Sequence, residues 1–308
     1  MQIRLPPDFS TEWMLNHIRT SSYGVPYRFT GGRALARALW LPDGPAVLEF
    51  DLSRPGTMAV RRLSPEGRLP GLSRTSAAYR REVEARVRFL WGLDDDGRHD
   101  AAIAAAPDVA PLRERFGVLR ILRAPDLYEA LLVAVIGQQV SVAAAQSVRQ
   151  RLMDNLGTGI RVGSGPRAAD HRLYPAPRHL LAAGGTALLK HGLSRQKAAY
   201  LLEIAGRAAA GDLDRDRFAG LSDEEAIARL CEIKGVGRWT AEIVLMRGLG
   251  RTDIFPAGDL GLRVALQETL GLRERPDEKE VRKIAERWQG WRSYAAFYLW
   301  MTLQSRAL

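Results

Sequence analysis

The chain of 308 residues has a single cysteine, Cys231, so no disulfide framework and no four-cysteine metal or iron–sulfur site can be built within it. Its five histidines, His17, His99, His171, His179 and His191, are scattered, with no Cys/His spacing that would hold a catalytic metal. No apolar run approaches the roughly 18 residues that a bilayer span requires. The opening Met1-Gln2-Ile3-Arg4-Leu5-Pro6-Pro7-Asp8 lacks the pattern of a signal peptide, and a cytosolic protein is expected. Acidic residues are also in deficit, 35 against 45 Lys and Arg, which leaves a formal charge of +10. Arginine far outnumbers lysine. Such an excess fits a polyanionic partner, although basic proteins that touch no nucleic acid exist.

What is present falls into an α+β beginning and a helical remainder. Phe9 to Arg19 has helical spacing, and Tyr27–Thr30, Ala34–Leu41, Ala46–Leu52 and Met58–Leu63 read as strands. Gly31-Gly32, Pro42 to Pro45 and Ser53 to Gly56 punctuate them at hairpin distance. A long helix, Ser76 to Trp91, is expected to cross this antiparallel sheet. Asp94-Asp95-Asp96-Gly97 lacks the alternating ligands of a calcium loop and reads as a polar linker. From Asp100 the strands disappear. Helical periods run over 101–106, 109–116 and 126–156, the last broken near Gly137. Gly157 to Asp170, rich in glycine and arginine, reads as an exposed loop. Helices are expected again over 178–183, 185–189, 195–210, 259–270, 277–289 and 293–303. The predicted fold is mainly α with an N-terminal α+β domain at 1–93. Residues 94–118 with 252–308 form one helical lobe and 119–251 the other.

The most informative stretch is Leu230 to Leu266. Asp223 to Glu232 forms a helix with Ser222 as its cap and Cys231 on its buried face. Lys234-Gly235-Val236-Gly237 turns the chain, and Trp239 to Met246 resumes the helical period. This hairpin delivers bare backbone N–H groups to a helix start, where unpaired donors and the positive end of the helix dipole favour a phosphate. A packing turn between two amphipathic helices would look the same. Beyond it, Pro256-Ala257-Gly258 leads into Asp259, whose carboxylate either caps the next helix or does chemistry.

Ile233-Lys234-Gly235-Val236-Gly237-Arg238-Trp239-Thr240-Ala241 followed by Gly258-Asp259 resembles the signature of the helix-hairpin-helix DNA glycosylase superfamily. Ile136-Gly137-Gln138-Gln139-Val140-Ser141-Val142, Tyr174 to Pro177 and Glu286 to Ala295 are similar to segments of the AlkA-type 3-methyladenine DNA glycosylase II family. The resemblance implies a monofunctional glycosylase that flips alkylated bases such as 3-methyladenine out of duplex DNA and hydrolyses the N-glycosidic bond. Glycosylases of deaminated or oxidised bases, and a non-catalytic hairpin DNA-binding protein, are the alternatives. The single cysteine excludes the iron–sulfur branch of the superfamily. Carried over by position, Asp259 is the catalytic carboxylate. Trp239, Trp300, Ile243 and Leu260 line the base pocket, although an aromatic at helical spacing also serves as core. Lys234, Gly235, Val236, Gly237, Arg238 and Thr240 meet the DNA backbone, while Gln138 and Gln139 fill the gap in the duplex.

Three positions depart from the best-known family pattern: Gln139 stands where a leucine wedge is expected, and Ile243 and Leu260 stand where tyrosines line the pocket in some members. A pocket so altered stacks less strongly on a cationic purine. Trp239 occupies the position of the nucleophilic lysine of bifunctional members, which implies hydrolysis without strand cleavage. No cofactor is required, and the resemblance allows a monovalent cation at the hairpin carbonyls. A monomer on duplex DNA, in the cytoplasm with the nucleoid, is expected.

Overall fold

A computed structural model describes residues 1–63, 76–164 and 168–306. The first lobe is built on strands β1 (Gln2–Arg4), β2 (Tyr27–Gly31), β3 (Ala34–Leu41), β4 (Gly44–Asp51) and β5 (Thr57–Arg62). They pair antiparallel in the order β1-β5-β4-β3-β2. The last four lie where alternation and turn residues place them. β1, three residues long, is too short to carry a period. Helices α1 (Thr11–Thr20) and α2 (Ala77–Leu90) belong to the same lobe. Met14, Ile18, Val83 and Val87 of these helices join Leu35, Phe50, Met58 and Trp91 in one buried apolar core.

The other face of the sheet is covered by a part of the chain expected to be a loop. Residues 157–170 do not form one: strands β6 (Gly159–Val162) and β7 (Ala169–Arg172) pair as a hairpin, whose residues 165–167 lie outside the described residues. Ile160, Val162 and Leu173 pack on Ala36, Ala38 and Val47 of β3 and β4. Small residues on the sheet make room for the hairpin, and this two-sided cover explains why β3 and β4 are buried almost without interruption.

The helices that follow are α3 (Arg98–Ala105), α4 (Ala110–Phe116), α5 (Leu127–Gly137), α6 (Val142–Leu156), α7 (Pro177–Lys190), α8 (Arg195–Ala209), α9 (Asp223–Cys231), α10 (Arg238–Val244), α11 (Leu260–Thr269), α12 (Glu278–Ala285) and α13 (Arg292–Gln304). α5 is apolar all round and buried along its length, as a central helix must be. Its one carboxylate in the core, Glu129, pairs with the buried Arg37 of β3 and so ties the sheet to the helices. Gly137 ends it. α7 bends at Gly184, whose φ of 69° interrupts the helix between the two segments expected there. The Asp94 linker is held by ion pairs, Asp94 and Asp95 to Arg123 and Asp96 to Arg98. No helix among the described residues is long and apolar enough to cross a membrane.

His17 of α1 is buried against α13, with Nδ1 2.8 Å from Gln304 Oε1 and its ring edge-on to Phe297. Burial, reinforced by the Arg247 guanidinium, pushes its pKa down to about 3. The unfolded chain therefore binds a proton at this site that the folded chain refuses. Stability from this site is intact above pH 6.5 and falls as the pH drops towards 3. Between pH 7 and 5 the loss should be about 2 kcal/mol. Urea midpoints measured across that range should show a shallower acid decline in His17→Gln than in the native protein; parallel declines would exclude His17 as the source.

Candidate active site

The hairpin joins α9 to α10 at the edge of a large cleft. Ser222 and Glu225 cap α9 reciprocally, and Ala226, Ile227 and Leu230 fix its buried face. Cys231 does not share that face: it is exposed and lines the cleft, while its neighbour Leu230 is buried. Gly235 has a φ of +90°, and a Cβ built on it would sit 2.2 Å from the Tyr200 ring. Only glycine satisfies both conditions. Gly237 caps α10 without a side chain. The amides of Gly235, Gly237, Arg238 and Trp239 meet no acceptor among the described residues, whereas Val236 donates to the Ile233 carbonyl at 3.0 Å to close the turn. Four N–H groups at a helix start are thus available to an anion. α10 runs on into a π turn, Leu245–Leu249, where Gly248 lets the backbone approach Leu127 and Ala130 of α5.

Asp259 caps α11 and faces the same cleft. Its Oδ1 accepts the Leu262 N–H at 2.8 Å and the Trp300 indole N–H at 3.1 Å; its Oδ2 accepts the Trp239 indole N–H at 3.0 Å. Capping and presentation are therefore one arrangement. Oδ1 already holds two donors and Oδ2 one, so Oδ2 retains a lone pair for a ligand. Gly261 keeps this crowding tolerable, since a Cβ there would lie 3.2 Å from Oδ1.

The cleft, about 1430 Å³, is bounded by the loop between α5 and α6, by α8, by the hairpin and by the Gly258–Gly261 turn. Asp259 is the only carboxylate among its described lining residues, which include Arg151, Lys197 and Lys234. In a chain with 35 acidic residues this exclusion favours a polyanion everywhere except at one point.

The residues expected at the site are not all deployed alike. Trp239 and Trp300 converge on Asp259, and Leu260, 58% exposed, stands at the rim. Ile243 lies instead in the apolar core, turned there by the helical period of α10. Arg238 bonds Glu224 at 2.5 Å and Glu242 at 3.0 Å, so its charge is largely neutralised within the protein. Thr240 is buried and accepts from Gln138 Nε2 at 3.0 Å. The same Gln138 amide donates to the Gly235 carbonyl at 2.9 Å, which turns Gln138 inward and ties the loop to the hairpin. Gln139 is left at the loop apex, exposed and at a φ of 54°, beside the exposed Val140.

Two residues of α8 escaped the sequence reading. Lys197 donates to the carbonyls of Ile136 and Gln138 at 2.8 and 2.6 Å, and burial lowers its pKa. Tyr200 packs on Gly235. Neither carries a local signal, because both act on segments remote in sequence. As for metals, no group of three or more His, Cys, Asp or Glu suited to an ion exists among the described residues. The hairpin carbonyls of Ile233 and Gly235 each accept one hydrogen bond and keep a second lone pair. That donor set is chemically compatible with a monovalent cation.

Comparison with known proteins agrees with this geometry. Residues 132–290 match the family model of the HhH-GPD superfamily base excision DNA repair protein. A DNA-3-methyladenine glycosylase of Bacillus subtilis is 31% identical over 226 residues, covering 73% of each chain. Among curated relatives the match spans from 42% to 76% of the relative's own length. The structure of a 3-methyladenine DNA-glycosylase from Archaeoglobus fulgidus superposes with a TM-score of 0.82 at 24% identity, over 98% of this chain and 97% of that one. The Schizosaccharomyces pombe 3-methyladenine DNA glycosylase in complex with abasic DNA is 29% identical over 71% of this chain and 96% of its own, with a TM-score of 0.55. With the hairpin, the aspartate and the cleft between them all inside or beside the matched region, the chain belongs to the HhH-GPD superfamily of base excision DNA repair proteins.

Proposed function

We propose that the protein is a monofunctional DNA glycosylase that removes alkylated bases, 3-methyladenine and other methylpurines, from duplex DNA and so initiates base excision repair. The observation that carries this reading is the Asp259 carboxylate, held by two indole N–H groups and a helix N-terminus in a cleft otherwise lined by neutral and basic residues. The amides at the start of α10 and Lys234 grip the phosphate backbone. Gln139 and Val140 enter the duplex where a nucleotide has rotated into the cleft. As the C1′–N bond breaks, positive charge grows on the sugar and the base departs with the bonding electrons. Asp259 stabilises that charge, and its Oδ2 takes the proton of the water that bonds to C1′. An alkylated purine already carries positive charge and leaves readily.

Hydrolysis rather than lyase chemistry is supported by the amines of the cleft. Lys197 is engaged with two carbonyls, and Trp239 fills the position beside Asp259. The neutral carbonyls of the hairpin would hold a monovalent cation that reinforces the phosphate grip. A single cleft serves a single duplex, so a monomer working on the nucleoid in the cytoplasm completes the proposal.

Single-turnover assays on duplexes containing 3-methyladenine, 7-methylguanine, hypoxanthine or 8-oxoguanine test it. Methylpurine release is expected, with strand breakage only after alkali. Release of 8-oxoguanine alone would replace the substrate class, and spontaneous strand cleavage would overturn the monofunctional reading.

A further inference from the structure

A second groove opens beside the active cleft, between the sheet lobe and α6. It is lined by Arg19, Phe29, Gln146, Ser147, Gln150 and Arg151, with apolar residues of α1 and β2 behind them. Ser147 and Arg151 also line the active cleft, so the two depressions adjoin at α6. No carboxylate lines this groove among the described residues. The α6 carboxylate Asp154 is turned to Gln150, 3.0 Å away, and to Arg172, 3.6 Å away.

Neither arginine of the groove has a carboxylate partner among the described residues. Arg19 is exposed, rests over the Phe29 ring at 4.3 Å and donates to Asn16 at 3.0 Å, with no ion pair among the described residues. The Arg151 side chain is exposed and, among the described residues, donates only to the His191 carbonyl. By contrast, Arg37, Arg62, Arg123, Arg238 and Arg282 are all neutralised by carboxylates. Arg19 is thus stiffened by a neutral ring and an amide while its full charge is kept for a ligand. Phe29 itself is 37% exposed on edge strand β2, where a large apolar ring is otherwise unexpected.

We propose that this groove is a second DNA-backbone surface, which takes the sugar–phosphate strand of the undamaged duplex arm beyond the flipped nucleotide. The inference rests on the glycosylase reading and extends it from the hairpin to the N-terminal lobe. Ala144, Ser147, Val148 and Arg151 form one stripe of α6 facing the cleft. From the start of α6 at Val142 to Arg151 the helix runs about 13 Å, at about 1.5 Å per residue. At about 3.4 Å per base pair this reaches about four base pairs from the lesion. Arg19 lies across the groove from the stripe and adds a phosphate contact that reads no sequence.

The test uses Asp259→Asn protein throughout, so that no turnover occurs, and duplexes carrying an abasic-site analogue. One set has long arms, and two others have one arm cut to three base pairs, on either side in turn. The protein with Arg19 intact should bind one of the shortened duplexes more weakly than the long one. Adding Arg19→Ala should weaken binding to the long duplex roughly eightfold at 0.1 M salt and make the salt dependence shallower by about 0.9. It should change nothing on that shortened duplex. Arg33→Ala, which removes an exposed arginine outside the groove, controls for net charge and should have no arm-length effect. Equal affinity and equal salt slope for Arg19→Ala on all duplexes would overturn the proposal. Failure of the Arg19-intact protein to bind any duplex would instead overturn the glycosylase reading beneath it.

Discussion

Asp259→Asn should lower single-turnover release of 3-methyladenine by about 10²- to 10⁴-fold, the range lost with a catalytic acid–base or electrostatic group. Affinity for a duplex with an abasic-site analogue should change by no more than a few fold. The surroundings of the carboxylate explain both expectations. Its three neighbours, Leu262 N–H and the indoles of Trp239 and Trp300, are all donors. An amide NH₂ placed among them faces another N–H whichever way it turns. The negative charge that would meet the developing cation on the sugar is also gone.

Asparagine is as good an N-cap as aspartate, so α11 should lose little stability. The two roles of Asp259 therefore separate in one variant. If the residue only capped its helix, Asp259→Asn would remain active within about twofold, and the catalytic assignment would fall. Adding Trp239→Phe removes one donor conflict. It should restore stability lost to that conflict without restoring base release.

The second large effect concerns the hairpin. Gly235→Ala should reduce affinity for lesion-free duplex at least tenfold and lower the melting temperature by several degrees. A φ of +90° costs a residue with a Cβ roughly 1–3 kcal/mol. The new atom would also lie 2.2–2.6 Å from three carbons of the Tyr200 ring. Tyr200→Ala in the same chain relieves the collision but not the backbone strain, so it should recover only part of the loss.

Gly237→Ala is the internal comparison. Gly237 has a φ of −90° and no atom within 4 Å of a built Cβ, so the free protein tolerates alanine there. Any loss of DNA affinity in Gly237→Ala reports the approach of the backbone to the phosphate. Equal melting temperatures for the two alanine variants would contradict this division of labour.

How much of the site was legible in the sequence follows from where each residue finds its partners. Gly235, Gly237 and Asp259 were legible because a turn, a helix start and an N-cap are local events. Even there the reasons were incomplete: that Gly235 is required by Tyr200, 35 positions earlier in the chain, has no local trace. Arg238 and Thr240 were assigned to DNA by their place in the motif. Ion pairs to Glu224 and Glu242, and the Gln138 amide, engage them within the protein. Gln138 and Gln139 looked equivalent as neighbours, yet one is an internal tie and the other an exposed apex.

The same contrast governs the fold. Strands β2 to β5 and most helices were set by residue alternation, helical period and caps, which act within one turn or one pleat. The hairpin of β6 and β7 was hidden in a glycine- and arginine-rich stretch because its apolar partners, Ala36, Ala38 and Val47, lie more than a hundred residues away. By itself the sequence determined most element types, the basic character, the glycine hairpin and the presence of an aspartate at a helix start. Only the tertiary structure decided which oxygen of Asp259 stays open, which arginines keep their charge and which loop is tied to the hairpin. Local backbone preferences are written in adjacent residues, whereas charge neutralisation and lone-pair occupancy depend on groups that meet only when remote segments pack.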